Sequence, residues 1–352
     1  MKKVYIAFDL SRKTFYCWAI DEKGALVHRG QHPMTTAGVD ACIEAVLTLA
    51  GDGVQLEFCF EAGTESHWVN AYLLDLGYET HPFHSTQFHW ITKSKKKTDK
   101  KDAEKMARAF AGGLLPSKVE LPRGETEEAR RLLAERGYWL KLRTATGARL
   151  KALARKMGIT YDCGSLREKK NRTALAEKFG ETCKADVQRH LAAMDMFDEH
   201  ITAIEAQYKE SMSPDMRNLA ARWDAIPGFG LIAVWMASAF LGDCRRFKDG
   251  RAAASYFGLV PRIYQSGDTN KQGNITKEGP RYGRSLLLEA AGALIRSKAF
   301  TRMKMYSWYL GVLKRRGKKK AKTALARKLV TIMVAMAKHG TAFTPDLLEQ
   351  AA

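Results

Sequence analysis

The sequence predicts a mixed α/β domain at the N-terminus, a long helical middle region and a mainly helical C-terminal part. Three observations predict it. Short apolar strands and amphipathic helices alternate through the first hundred or so residues. Two long helical stretches without strands follow. The remainder carries apolar residues at helical spacing, broken by Gly and Pro turns. The expected domains are 1–115, 116–215 and 216–352. A chain of 352 residues, 45% of them apolar, is long enough to bury more than one core.

Val4 to Leu10 reads as an apolar strand containing Asp9. Thr14 to Ile20 and Ala25 to Gln31 are further strands, joined by the turn Asp21-Glu22-Lys23-Gly24, so the three form an antiparallel meander. Thr36 to Ala50 has Val39, Ile43, Val46 and Leu47 at helical spacing. Val54 to Phe60 is a strand that ends on Glu61. Thr64 to Leu76 is a helix with Trp68, Tyr72 and Leu76 on one side, and Glu79 to Phe83 is the last strand. A helix then opens at Asp99 and runs to Phe110. The order β-β-β-α-β-α-β-α implies a mixed sheet with helices on its faces.

Four acids stand out in this order. Open α/β sheets bind ligands at their strand ends, where Asp9 and Glu61 lie. Asp99 and Asp102 open the following helix, three residues apart and therefore on one face. Converging carboxylates seat divalent hard cations. Two such ions about 4 Å apart activate an attacking oxygen and stabilise a leaving one. From Lys93 to Ala103 six lysines, Lys95, Lys96, Lys97 and Lys100 among them, surround Asp99 and Asp102. Lysines in that position draw a polyanion toward the ion. Taken singly, each acid also fits a turn or cap. His81, His84 and His89 match no zinc spacing and read as loop residues, with His84 or His89 in reach of a phosphate.

Lys and Arg number 58 against 38 acids, a net charge of +20, which points to a nucleic-acid partner. Six cysteines are scattered without a Cys-x-x-Cys pair, which argues against a disulfide scaffold or a zinc knuckle and for a reducing cytosol. No signal-peptide pattern opens the chain. The longest uncharged run, Ala225 to Gly242, contains Pro227 and three glycines and reads as a helix pair rather than a membrane span. The expectation is a cytoplasmic protein of the prokaryotic type, associated with the nucleoid, and no membrane partner.

Glu125 to Met157 is a long helix whose apolar side (Leu132, Leu133, Trp139, Leu140, Leu150, Leu153) is interrupted by Arg136 and Arg143. Ala174 to Glu210 is more helix, with Leu191, Met194, Phe197, Ile201, Ile204 and Tyr208 near heptad spacing. The pair reads as a spacer, a dimerisation arm or a nucleic-acid clamp. Ile226-Pro227-Gly228-Phe229-Gly230 is a tight turn, either a phosphate loop or a helix connector. Pro261 to Gly279 reads as a loop rich in Gly, Lys and Thr that holds Arg262, Ser266, Lys271 and Lys277. A serine hydroxyl attacks phosphorus when a metal or base activates it, although Ser-Gly alone is a turn. Helices follow at Pro280 to Ser297 and Thr301 to Leu313. Lys314 to Lys322 holds seven basic residues in nine, including Arg315, Lys318 and Lys319. So many like charges repel unless a phosphate backbone neutralises them. The run enters an amphipathic helix with Ala321, Leu325, Leu329, Ile332 and Met336 on one face.

These residues together resemble the DEDD transposases of insertion-sequence family one-ten, the bridge-RNA-guided recombinases. The four acids match Asp9, Glu61, Asp99 and Asp102, with Ala103 following. Ile-Pro-Gly-x-Gly matches Ile226 to Gly230, Gly-Leu-x-Pro-Arg matches Gly258 to Arg262, and Ser-Gly then Gly-x-Ile-x-Lys-x-Gly matches Ser266-Gly267 and Gly273 to Gly279. The resemblance implies a RuvC-like domain of the RNase H fold at the N-terminus and a C-terminal serine transposase domain. It implies magnesium (Mg2+) on the four acids, Ser266 as nucleophile, and a composite site of the two domains. Attack would leave a phosphoserine link to DNA that preserves the phosphodiester energy. It also implies target and donor DNA as partners, an element-encoded guide (bridge) RNA that selects them by base pairing, and homodimers that pair into tetramers. Two other readings stand beside this one. One is a two-metal RuvC-like nuclease of the junction-resolvase type, with water as nucleophile. The other is a non-catalytic nucleic-acid scaffold.

Overall fold

The computed structural model describes residues 2–84, 88, 99–160, 162, 164–266 and 269–344. The chain forms two compact units, 1–123 and 124–352.

In the first unit, β1 (Lys2–Leu10), β2 (Thr14–Asp21), β3 (Leu26–Pro33), β4 (Val54–Glu61) and β5 (Glu79–Phe83) make one five-stranded sheet. The strand order is β3-β2-β1-β4-β5. β1 pairs with β2 and β2 with β3 antiparallel, as the meander predicts, whereas β1–β4 and β4–β5 are parallel. Helices α1 (Thr36–Ala50), α2 (Ser66–Asp75) and α3 (Asp99–Ala111) make the crossovers and the cover. Thr35 caps α1, its hydroxyl accepting from the Gly38 N–H at 3.1 Å.

β1 is central, and successive residues serve opposite faces. Val4, Ile6 and Phe8 join Phe15, Cys17, Val39, Cys42, Phe58 and Val69 in the core on the α1 and α2 side. Tyr5 and Ala7 join Trp18, Cys59, Ala103, Met106 and Ala107 on the α3 side. A strand covered on both faces has to be apolar throughout. The α2 helix buries Val69, Asn70 and Leu73, while Leu76, expected on its inner side, is exposed beyond its end. Trp68 and Tyr72 pack at the edge of that core.

The second unit begins with α4 (Gly124–Lys156), followed by α5 (Lys169–Ala176), α6 (Glu181–Ser211), α7 (Pro214–Asp224), α8 (Leu231–Leu241) and α9 (Gly250–Tyr256). A hairpin of β6 (Pro261–Ser266) and β7 (Thr269–Ile275) precedes α10 (Arg281–Arg296) and α11 (Lys304–His339). The stretch expected as a loop from 261 to 279 is therefore mostly paired strand. The two helices expected after residue 300 are both present, one on each side of a kink at Gly317, whose φ of 79° is non-helical; α11 names the pair. α8 is buried from Ala233 to Leu241, which explains its uncharged sequence. Trp235 on α8 donates to the Ala129 carbonyl at 2.9 Å and stacks on Tyr208 at 4.1 Å between ring centres. The proximal end of α4 and the distal end of α6 thus share one core with α7 to α11. Ala321, Leu325, Leu329, Ile332 and Met336 of α11 are buried in that core, as their spacing predicts.

The arginines that interrupt the apolar side of α4 are explained by α6. Arg136 pairs with Glu205 at 2.7 Å, and Arg143 pairs with Asp198. Arg172 of α5, only 3% exposed, pairs with Asp195 at 2.8 Å and with Asp198. Beyond these pairs lies a smaller core of Leu150, Leu166, Leu175, Phe179 and Met194. Desolvation works against the Asp198 carboxylate, but hydrogen bonds from Arg143 and Arg172 outweigh it and hold its pKa below the ordinary value. The stabilisation from a depressed carboxylate is full above the unfolded pKa of about 3.9 and is lost as pH falls through the lower folded value. Asp198→Ala is expected to cost about 2 kcal/mol at neutral pH, because it strips a partner from a buried arginine that keeps Asp195. Urea unfolding of the full chain checks this, and a loss under about 0.5 kcal/mol, the size of an ordinary surface substitution, would show that Asp195 suffices.

Candidate active site

The sheet brings two of the four acids to one edge, and α3 sets a third level with them. Phe8 of β1 lies beside Phe60 of β4 in the parallel register, so Asp9 and Glu61 follow as neighbours at the carboxyl ends of adjacent strands. Phe83 of β5 pairs with Glu61 from the other side. Ala7 and Cys59 face α3, so two residues on, Asp9 and Glu61 belong to the same face. Both make contacts within the fold.

The α3 helix is set by that same face. The Met106 carbonyl lies 4.0 Å from Cys59 Sγ, and the Phe110 ring meets Tyr5 with centres 5.3 Å apart. Tyr5 precedes Ala7 on β1, so α3 runs antiparallel to β1 and β4. Stepping back one turn from Met106 to Asp102 covers about 6 Å along the helix. Stepping forward two residues from Cys59 to Glu61 covers about 6.6 Å along the strand. Asp102 therefore arrives level with Asp9 and Glu61, while Asp99 lies nearly a turn further out and is exposed.

Asp102 is 9% exposed, and its Oδ1 is buried with no hydrogen-bond partner among the described residues. Leaving a buried polar atom unsatisfied costs about 1–3 kcal/mol, a cost that a bound cation would offset. The start of α3 adds a favourable dipole for negative charge. No three of the four acids bring a carboxylate oxygen each to within 4.8 Å of one another. Like charges repel at such range, and an ion between them would draw them in. Hard oxygen donors, one of them unpartnered, fit a divalent hard cation that keeps part of its water shell.

Ser266 is the last residue of β6 and pairs with Thr269 at the tip of the hairpin. The base of that hairpin is built by the glycines of the motif. A Cβ on Gly258, at φ 63°, would sit 2.3 Å from the Glu278 carbonyl oxygen. One on Gly279, at φ 77°, would sit 1.9 Å from the Tyr256 carbonyl oxygen. Two crossing backbones thus pin the strands, with Lys277 N–H donating to the Gly258 carbonyl at 3.1 Å and Thr276 N–H to the Val260 carbonyl at 2.9 Å. Arg284 completes the clamp and was missed in the sequence. Its Nη1 donates to the Phe257 carbonyl at 3.0 Å and to the Glu278 carbonyl at 3.1 Å. The signal was one arginine on the apolar stripe of α10, with Leu287 and Ala291 at its helical spacings. The Pro227-Gly228 turn is likewise a packing device: a Cβ on Gly228, at φ 83°, would meet the Leu294 N at 2.7 Å.

Of the basic residues, Lys95, Lys96 and Lys97 lie outside the described residues, as does His89. Lys100 is exposed beside Asp99 at the start of α3. Arg262 is exposed and donates to the Thr276 carbonyl at 3.2 Å, and Lys277 is exposed at φ 58°. Lys271 stands opposite Tyr264 on β7. Arg315, Lys318 and Lys319 are exposed on both sides of the Gly317 bend. Among the described residues no acid pairs with any of the charges from Lys314 to Lys320.

The sequence is similar to known proteins. A transposase family model, DEDD type, matches residues 6–158. A second, described as the transposase IS116/IS110/IS902 family, matches residues 220–307. The chain belongs to the IS110/IS116 family of DEDD transposases. The family models thus span the strand-end acids and the hairpin alike. Over 346 residues the chain is 27% identical to the transposase for insertion sequence element IS1111A of Coxiella burnetii, covering 96% of this chain and 90% of that one. It is 33% identical over 152 residues to a Pseudomonas aeruginosa protein named "Probable family 20 transposase", covering 43% of this chain and 44% of that one, less than half the relative's length. It is 28% identical over 158 residues to the pilin gene-inverting protein of Moraxella bovis, covering 44% of this chain and 48% of that one. No helix among the described residues is long and apolar enough to cross a membrane.

Proposed function

We propose that this chain is an RNA-guided insertion-sequence transposase that cuts and rejoins DNA through a phosphoserine intermediate. The observation that carries the reading is the unpartnered buried oxygen of Asp102, level with Asp9 and Glu61 at one edge of the five-stranded sheet. Asp9, Glu61, Asp102 and Asp99 would hold magnesium, which when bound supplies Lewis-acid polarisation of a phosphodiester oxygen and stabilises the oxygen that leaves. Ser266 Oγ attacks phosphorus. A bond forms between serine oxygen and phosphorus, the strand's P–O bond breaks, the serine proton passes to solvent or a base, and the released strand end departs as a hydroxyl. Because one phosphodiester replaces another, the reverse attack rejoins DNA without an external energy source.

The net charge of +20 and the exposed run from Lys314 to Lys320 suit a protein that holds DNA and a structured RNA at once. The guide RNA would be encoded in the element beside the gene and would choose target and donor by base pairing, leaving the protein to grip backbone and shape. A homodimer pairing into a tetramer, in the cytoplasm at the nucleoid, completes the reading.

The test is a denaturing gel of full-length protein incubated with magnesium, the element's RNA and DNA carrying target and donor sites. A DNA-linked protein band is expected, absent with Ser266→Ala and absent with a chelator. Metal-dependent cleavage that persists in Ser266→Ala without an adduct would select the resolvase-type nuclease, with water as nucleophile.

A further inference from the structure

Across the sheet from the acids, two cysteines and two histidines far apart in sequence meet. Cys17 on β2 stands opposite Gly30 on β3. His28 and His32 flank Gly30 two residues to either side, hence on the same face. That face is covered by α1, which brings Cys42. Cys17 Sγ, Cys42 Sγ and a ring nitrogen of His28 all lie within 4.8 Å of one another. Both thiols are fully buried.

The glycine makes the meeting possible. His28 and His32 are four residues apart on an extended strand, a span of about 13 Å, yet their Nε2 atoms lie 3.4 Å apart. The rings fold inward over the space where Gly30 has no side chain. A Cβ there would sit 3.3 Å from His32 Nε2 and 3.4 Å from His28 Nε2. Phe15 stacks on His32 from behind, with centres 5.4 Å apart.

We propose that Cys17, Cys42 and His28, whose ligand atoms already converge, form a structural site for a divalent ion of the zinc class, with His32, its Nε2 3.4 Å from that of His28 but outside the converged group, turning in as the fourth ligand. Two nitrogens bound at about 2.05 Å in a tetrahedron are about 3.3 Å apart, which is the spacing the two imidazoles hold. Soft thiolates select zinc over magnesium. Binding releases both thiol protons, and two thiolates neutralise the ion's double charge, so a neutral unit sits in an apolar core. The ligands come from β2, β3 and α1. The ion therefore fastens the edge strand and its covering helix to the sheet, whether or not the acids on the other face hold magnesium.

The experiment uses full-length protein purified without chelator. Elemental analysis is expected to find one zinc per chain, unchanged by Asp102→Asn. Cobalt added to metal-free, reduced protein is expected to give the visible bands of tetrahedral cobalt and a thiolate charge-transfer band in the near ultraviolet. Cys42→Ala should remove the charge-transfer intensity in part and lower zinc below one half per chain. Gly30→Val keeps every donor but presses the rings apart, and it should weaken cobalt binding at least tenfold while the protein stays folded by circular dichroism. Absence of zinc and of cobalt bands in folded, reduced protein overturns the site. So does a count, under denaturing conditions, of two thiols fewer than the six in the sequence, which would mean a Cys17–Cys42 disulfide. Cobalt spectra indifferent to both variants would also overturn it.

Discussion

Asp102→Asn is expected to abolish metal-dependent DNA cleavage while leaving the metal-free protein as stable as before. The two halves of that result have one cause. In the folded chain Asp102 Oδ1 is buried and satisfies no donor among the described residues, so it contributes little to stability and costs about 1–3 kcal/mol to bury. Removing the charge relieves repulsion toward Asp9 and Glu61, the neighbouring strand-end acids. In chelator, the variant's unfolding free energy should lie within about 1 kcal/mol of the parent's or above it. Magnesium at a hundred times its dissociation constant would stabilise the parent by about 2.7 kcal/mol, and the variant by much less. Loss of a ligand that helps the ion polarise the phosphodiester is worth several kcal/mol at the transition state, a rate loss of roughly 10²–10³-fold or more. Calorimetry in chelator and in magnesium, beside a cleavage assay, reads both quantities. A variant that is already several kcal/mol weaker in chelator would show that Asp102 is a structural residue and that the ion reading is mistaken.

The parts legible in the sequence were those fixed by local pattern. Alternation gave the β1–β3 meander and the strand that ends on Glu61, and helical spacing gave the buried stripe of α11. The three-residue gap between Asp99 and Asp102 placed both on one face of a helix. What stayed hidden depended on partners distant in the chain. Arg136 and Arg143 looked like interruptions until Glu205 and Asp198 appeared opposite them on α6. The hairpin carrying Ser266 looked like a loop because its strands are polar and its glycines resemble turn residues. Their role is close backbone crossing, which no spacing reveals. The cluster of Cys17, Cys42 and His28 showed no metal spacing because its members come together only across two strands and a helix, beside the opening left by Gly30. A relative matched over 96% of this chain spans both the acids and the hairpin, but the chemical reason for each position comes from neighbours in space.

The hairpin supplies the other large expected effect. Gly279→Ala should cost at least about 3 kcal/mol and eliminate the DNA-linked adduct. An alanine at φ 77° pays about 1–2 kcal/mol for the left-handed conformation alone. Its Cβ would also lie 1.9 Å from the Tyr256 carbonyl oxygen, a backbone atom at the end of α9 that cannot swing aside as a side chain would. Relief requires the chain after β7 to lift off Tyr256. That movement breaks the contacts by which Arg284 holds the Phe257 and Glu278 carbonyls, and the base that presents Ser266 loosens. Gly158→Ala is the matched control in the same unit: φ is 70° there, but nothing lies within 4 Å of the added carbon. It should show only the conformational cost and should keep the adduct. Thermal unfolding ranks the two variants, and the denaturing gel reads the serine. If Gly279→Ala is no less stable than Gly158→Ala and still forms the adduct, the crossing of backbones at Gly279 does not position the serine hairpin, and the clamp at Arg284 must hold it alone.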